Sequence, residues 1–247
     1  MHQTLLNDAA IALSRVLTFH RIPHGFFGGF AILATCGSNH YRESKDLDVL
    51  VSASKTTILN LLSSKRSFLP IPSIRDDYVA FFWKSNDYDT GKPTSTSVVL
   101  VEMFVSCVGN SRTRFPVTKN TVLRGEIMGC SYVPILSEEY LLRGKISAAA
   151  GRVKKGGADV MDIMWLIENY KDRDLKAIVQ GVDKRVLGLA VKRHPQLKKV
   201  LESIGVHTRG ALWTVRKQKI EGTCQTPETW GVQSGLGWMP VAHTVRC

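Results

Sequence analysis

Two aspartates separated by one residue, Asp46-Leu47-Asp48, open a run that continues as Val49-Leu50-Val51. Alternate side chains of an extended strand share a face, so both carboxylates point one way while Leu47 points the other. Paired carboxylates on a strand face are oxygen donors for a hard divalent cation, Mg2+ or Mn2+. Phosphoryl and nucleotidyl transfer use such cations together with the substrate's own phosphates. A third carboxylate, Glu102, stands alone among the apolar residues from Val98 to Val105. A charge inside such a strand is costly unless it faces solvent, is paired or meets a cation, which makes Glu102 the candidate third ligand.

Upstream of the aspartates, Gly28-Gly29 can form a turn whose backbone N–H groups approach phosphate oxygens without side-chain obstruction. Between the two features, Arg42 and Ser44 offer a guanidinium fork and a hydroxyl to phosphate. Each signal is weak alone. The ordered set of Gly28-Gly29, Arg42-x-Ser44-x-Asp46-x-Asp48 and Glu102 is much stronger, and it points to a nucleoside triphosphate held against a metal.

The run from Gly28 to Val51 resembles the signature of the nucleotidyltransferase superfamily, in which a Gly-Gly or Gly-Ser turn precedes an Arg-x-Ser/Thr-x-Asp-x-Asp strand. Further on, Leu141-Leu142-x-x-Lys145-x-x-Ala148 through Arg152, then Lys155 and Asp159-x-x-Asp162-Ile163, is similar to the downstream motifs of AbiEii-type and MenT-type nucleotidyltransferase toxins. The resemblance implies that Lys145 serves the triphosphate and that Asp159 is catalytic or orienting, with Asp162, three residues on and sharing its helix face, as the alternative. It also implies an NTP substrate and an acceptor that is RNA, such as a tRNA end, or a protein side chain. Two departures stand out: the stretch Ser38-Asn39-His40-Tyr41 is longer than the superfamily's usual spacing, and the third carboxylate is Glu instead of Asp.

The elements that must position these residues follow from periodicity. Leu5, Leu6, Ala9, Leu13, Val16 and Leu17 predict an amphipathic helix over residues 3–19, ending near Pro23. Residues 25–29 read as a glycine-rich turn, 30–34 as a short helix, 54–65 as a helix, and 46–51, 78–83 and 97–106 as strands, with a polar loop over 85–97. From Ser137-Glu138-Glu139 onward helices dominate, with candidates at 158–170 and 183–204. The fold class expected is α+β: a nucleotidyltransferase-type mixed β-sheet with flanking helices over residues 1–134, a helical subdomain over 135–205, and a tail over 206–247 without clear period. His20-x-x-x-His24 has metal-ligand spacing, but Pro23 interrupts it and it reads as incidental.

The net charge of +12 favours polyanionic partners, and it is concentrated. Residues 143–219 hold 18 Lys/Arg against 7 Asp/Glu, whereas the remainder holds 15 against 14. Such a segment suits RNA phosphates and disfavours a small cationic drug as acceptor. Five scattered cysteines without a C-x-x-C pair fit neither a disulfide framework nor a zinc site. No apolar run approaches the ~18 residues of a membrane span, so the expectation is a cytoplasmic protein without a membrane partner. The function expected is metal-dependent nucleotidyl transfer, against the alternative of an inactive fold that binds a nucleotide, RNA or protein.

Overall fold

A computed structural model of the chain describes residues 3–36, 43–85, 98–105, 116–152, 156–171 and 173–218. Arg42, Lys155, most of the predicted polar loop and the tail beyond residue 218, with Trp230 and Trp238, lie outside the described residues. The chain divides into two compact units, residues 1–137 and 138–247.

Among the described residues, the first unit is a mixed seven-stranded sheet with three helices. Its elements are α1 (Gln3–Phe19), β1 (His24–Phe27), α2 (Gly28–Cys36), β2 (Asp46–Val51), α3 (Lys55–Ser63), β3 (Phe68–Ile71), β4 (Tyr78–Trp83), β5 (Val99–Val105), β6 (Thr118–Arg124) and β7 (Cys130–Leu136). The strand order is β3-β4-β5-β2-β1-β7-β6, which puts β2 at the centre. β2 runs antiparallel to β1 and parallel to β5. Alternation decides which side is covered: Leu47 and Val49 of β2 and Val101 and Met103 of β5 have no exposed area, whereas Asp46, Asp48 and Glu102 on the opposite face are half-buried.

α1 and α2 lie over the apolar face. The Phe26 and Phe30 rings meet edge-on at 5.6 Å, which joins β1 to α2, and the Ser14 hydroxyl of α1 is 2.9 Å from His24 Nε2. His24 Nδ1 is 2.9 Å from the Ile22 carbonyl. The N–H therefore sits on Nδ1, and Nε2 accepts from Ser14. Burial lowers the His24 pKa, so the ring is neutral; it is a polar bolt between helix and sheet, in keeping with the incidental reading of the His20/His24 spacing.

The other end of α1 is fixed by a buried carboxylate. Asp8 Oδ1 accepts the backbone N–H groups of Ile127 (3.0 Å) and Met128 (2.7 Å), and Oδ2 that of Glu126 (3.1 Å). Gly125 is the only residue type that fits beside it, because a Cβ there would overlap Oδ1. These bonds cap the β6–β7 turn, whose donors have no ladder partner.

The second unit is helical: α4 (Glu138–Gly151), α5 (Gly156–Asn169), α6 (Leu175–Gln180), α7 (Lys184–Arg193), α8 (Gln196–Ser203) and α9 (Arg209–Thr214). α4 packs against α5, α6 and α7, and α7 against α8 and α9. The single helix expected over 183–204 is two, because Pro195 has no N–H to donate and displaces His194 to φ −128, ψ 79. The residues expected to be an unpatterned tail include α9, seated where Gly188 lets α7 approach the Ala211 carbonyl. Among the described residues no helix is long and apolar enough to cross a membrane.

Replacing Asp8 by Ala removes the acceptor of three backbone donors at the β6–β7 turn. The expected cost is about 2 kcal/mol in denaturant unfolding, with faster amide exchange confined to Glu126, Ile127 and Met128. Unchanged exchange at those amides would refute the tether.

Candidate active site

The site forms at one end of the central strands because of strand direction. β1 and β2 are antiparallel, so the exit of β1 lies beside the entry of β2, and Phe27 pairs with Asp48. β5 is parallel to β2, with Asp48 opposite Glu102 and Asp46 opposite Leu100. Directly paired residues share a face. Asp46, Asp48 and Glu102 are therefore neighbours on the half-buried side of the sheet.

Gly28 makes the turn from β1 into α2 at φ +71, a left-handed conformation that favours glycine. It is constrained a second time by its neighbour, since a Cβ on Gly28 would overlap Oδ2 of Asp48. The carboxylate thus rests against the bare backbone where α2 begins, and Gly28-Gly29 form the first residues of that helix. A helix start offers unpaired N–H groups to anions.

Ser44 is buried, and its hydroxyl donates to the Asp46 carbonyl at 3.2 Å, with Asp46 Oδ1 at 3.5 Å. In the structure it steadies the entry of β2; contact with phosphate would require that hydroxyl to rotate. Arg42 lies outside the described residues.

Sequence reasoning passed over Tyr78. Its hydroxyl donates to Glu102 Oε1 at 2.6 Å across the β4–β5 pair. Burial first, then the bond to Glu102 and the charges of Glu102 and Asp48, push the phenol well above its ordinary pKa, so it stays a donor. Arg75 lies over the Tyr78 ring, 5.3 Å from its centroid, and holds Asp77 with two bonds of 2.9 and 2.8 Å. That fork lowers the Asp77 pKa and raises that of Arg75. The alternation Tyr78, Ala80, Phe82 was visible in the sequence; that β4 is the strand beside Glu102 was not.

Oxygen donors of this kind suit a hard divalent cation. Among the described residues, however, no three His, Cys, Asp or Glu side chains converge as a metal-holding group. Glu102 is turned to Tyr78 by its hydrogen bond.

Lys145 belongs to the second unit. Its ammonium, nearly buried on α4, lies 3.0 Å from Asp159 Oδ1 and 2.7 Å from Asp162 Oδ2, both on α5. Both candidate aspartates are thus partners of the same lysine. Arg152 approaches Asp159 Oδ2 at 3.7 Å, an oxygen that is buried and accepts no hydrogen bond from the described residues. One buried cation between two buried anions leaves a charge excess that Arg152 offsets in part.

No protein-family model matches the sequence, and no curated protein matches it. The fold is similar to that of an antigenic nucleotidyltransferase-like protein from Paracoccidioides brasiliensis, with a TM-score of 0.52 and 19% identity over 80% of this chain and 92% of that one. The nucleotidyltransferase toxin MenT4 from Mycobacterium tuberculosis overlaps at a TM-score of 0.44 with 14% identity, over 98% of this chain and 85% of the toxin. The lincosamide antibiotic adenylyltransferase LnuA overlaps at 0.39 with 12% identity, over 63% and 92%. The first likeness shows a nucleotidyltransferase-like α+β fold, and the two lower scores add nothing to it.

Gly28→Ala is expected to cost about 1–2 kcal/mol from the left-handed turn alone, and to displace the Asp48 carboxylate besides. Thermal unfolding reads the first effect, and an altered environment of Asp48 in carboxyl NMR reads the second. Lys145→Ala strands two buried carboxylates and is expected to lower stability by about 3–5 kcal/mol, measured by urea denaturation; Lys145→Arg is expected to recover most of it.

Proposed function

We propose that the first unit binds a nucleoside triphosphate and transfers its nucleotidyl group to an acceptor. The observation that carries this reading is that Asp46, Asp48 and Glu102 share one face of two paired central strands, with Asp48 against the Gly28 turn. In this reading Asp46 and Asp48 would hold a divalent cation, Mg2+ or Mn2+, with Glu102 as third ligand. Such a cation supplies neutralisation of phosphate charge and a Lewis acid at the reacting oxygens.

The chain's own residues do the remainder. The backbone of Gly28 and Gly29 approaches the phosphates closely because no side chain intervenes. Arg42 and Ser44 add donors in the manner that the resemblance implies. Tyr78 keeps Glu102 oriented and, by remaining protonated, adds no further negative charge. An acceptor oxygen attacks the α-phosphorus; a new P–O bond forms as the bond to the pyrophosphate oxygen breaks, and the acceptor loses its proton. Catalysis is then chiefly positioning and electrostatics. The acceptor is an RNA, such as a tRNA end, or a protein side chain.

Calorimetric titration of ATP, CTP, GTP and UTP in the presence of Mg2+ tests this. Magnesium-dependent binding of at least one triphosphate is expected for the wild type and is expected to vanish in Asp46→Ala/Asp48→Ala. No binding of any triphosphate by folded wild-type protein would sink the enzyme reading and leave an inactive fold that binds RNA or protein.

A further inference from the structure

The end of the helical unit carries an exposed aromatic side chain among basic ones. Trp213 on α9 is 66% exposed, although an indole is among the side chains that gain most from burial. The Arg216 guanidinium lies over its ring, 4.9 Å from the centroid. Four residues before Trp213, and so on the same helix face, is Arg209. Together with Lys198, His207, Thr208, Leu212 and one carboxylate, Glu202, Arg209 lines a concavity of about 420 Å3.

Between Lys198 and Lys217 the sequence holds five Lys/Arg and a single acid, Glu202. A second concavity, of about 620 Å3, carries Lys171, Arg173 and Lys176, and α8 contributes to both through Ser203 and Lys198 respectively.

The platform is held firmly. The Lys192 ammonium of α7 donates to the carbonyls of Val215 (2.9 Å), Arg216 (3.2 Å) and Gln218 (2.6 Å), which ties the end of α9 in place. A fixed, exposed indole beside cations has little use for an acidic peptide, which asks only for charge. It is the pairing that single strands require: a flat surface for a base and cations for the flanking phosphates.

We propose that this face binds single-stranded nucleic acid, with a base stacked on Trp213 and phosphates neutralised by Lys198 and Arg209. The proposal deepens the transferase reading by choosing between its two acceptors and naming the residues that would hold the strand, and it rests on that reading only for the word acceptor. Fluorescence anisotropy of a labelled mixed-sequence 20-nucleotide RNA, and of the DNA of the same sequence, is the test.

Trp213→Ala is expected to weaken binding about 5- to 150-fold, since stacking contributes about 1–3 kcal/mol per base. Trp213→Phe, which keeps a ring, is expected to lose much less. Lys198→Ser/Arg209→Ser is expected to flatten the slope of log affinity against log salt by about 1.4, at about 0.7 per contact removed. The proposal is overturned if Trp213→Ala binds as wild type, if the duplex of the same sequence binds as tightly, or if polyglutamate binds with the same dependence on Trp213. Titrating NTP into Trp213→Ala separates the two readings. Normal nucleotide binding with lost strand binding supports both; strand binding by a wild type that takes no nucleotide supports this proposal and removes the transferase.

Discussion

The register between β2 and β5 is the constraint on which the first unit depends. Six consecutive pairs, from Asp46 with Leu100 to Val51 with Val105, align the two strands. A slip of one residue would exchange the faces of β2, driving two carboxylates into the layer beneath α1 and α2 and bringing Leu47 and Val49 to the half-covered side. Burying an unpaired carboxylate costs several kcal/mol, so the hydrophobic pattern and the chemistry select the same alignment. Core and site are two readings of one alternation.

The second unit solves a different electrostatic problem. Its sequence carries most of the chain's positive charge, yet among its described residues the interior sets two aspartates on one lysine. A cluster of this kind contributes little net stability beyond what apolar residues of the same volume would give, but its loss in part is damaging. The pairing also means that α4 and α5 hold each other through ionic bonds of defined geometry as well as through the buried Leu141, Leu142 and Ile163.

How far the sequence could be read follows from the range of the interactions. α1, β2, α3, β4 and β5 were legible, within a residue or two at their ends, because each rests on local alternation or helical spacing. That Asp46 and Asp48 share a face was legible because strand alternation is a local fact, whereas the pairing of β2 with β5 that sets Glu102 opposite Asp48 is tertiary. β1 was not legible, its His24–Phe27 lying mostly within the stretch read as a glycine-rich turn; nor were β3, β6 and β7, since their exposure is mixed: Thr118–Arg124 buries only Leu123. Tyr78 with Glu102, and Asp8 with residues 126–128, depend on partners 24 and more than a hundred positions away. Their value lies in tertiary placement, which no window of sequence contains. Lys145 had only the resemblance to recommend it, and its two aspartate partners are a finding of the structure.

Gly28 has two separate reasons to remain glycine, its left-handed backbone and the carboxylate packed against it. The two reasons would be lost in a definite order along a path of mutation. While Asp48 is present, any side chain at 28 meets both obstacles. If Asp48 were replaced by a smaller residue, the steric obstacle would go and the torsional one would remain, and Asn or Asp, which tolerate positive φ best, would become the accessible neighbours. A descendant that had given up the carboxylate could therefore drift at position 28 only afterwards. Glycine and aspartate here form a ratchet in which the carboxylate must be surrendered before the backbone can change.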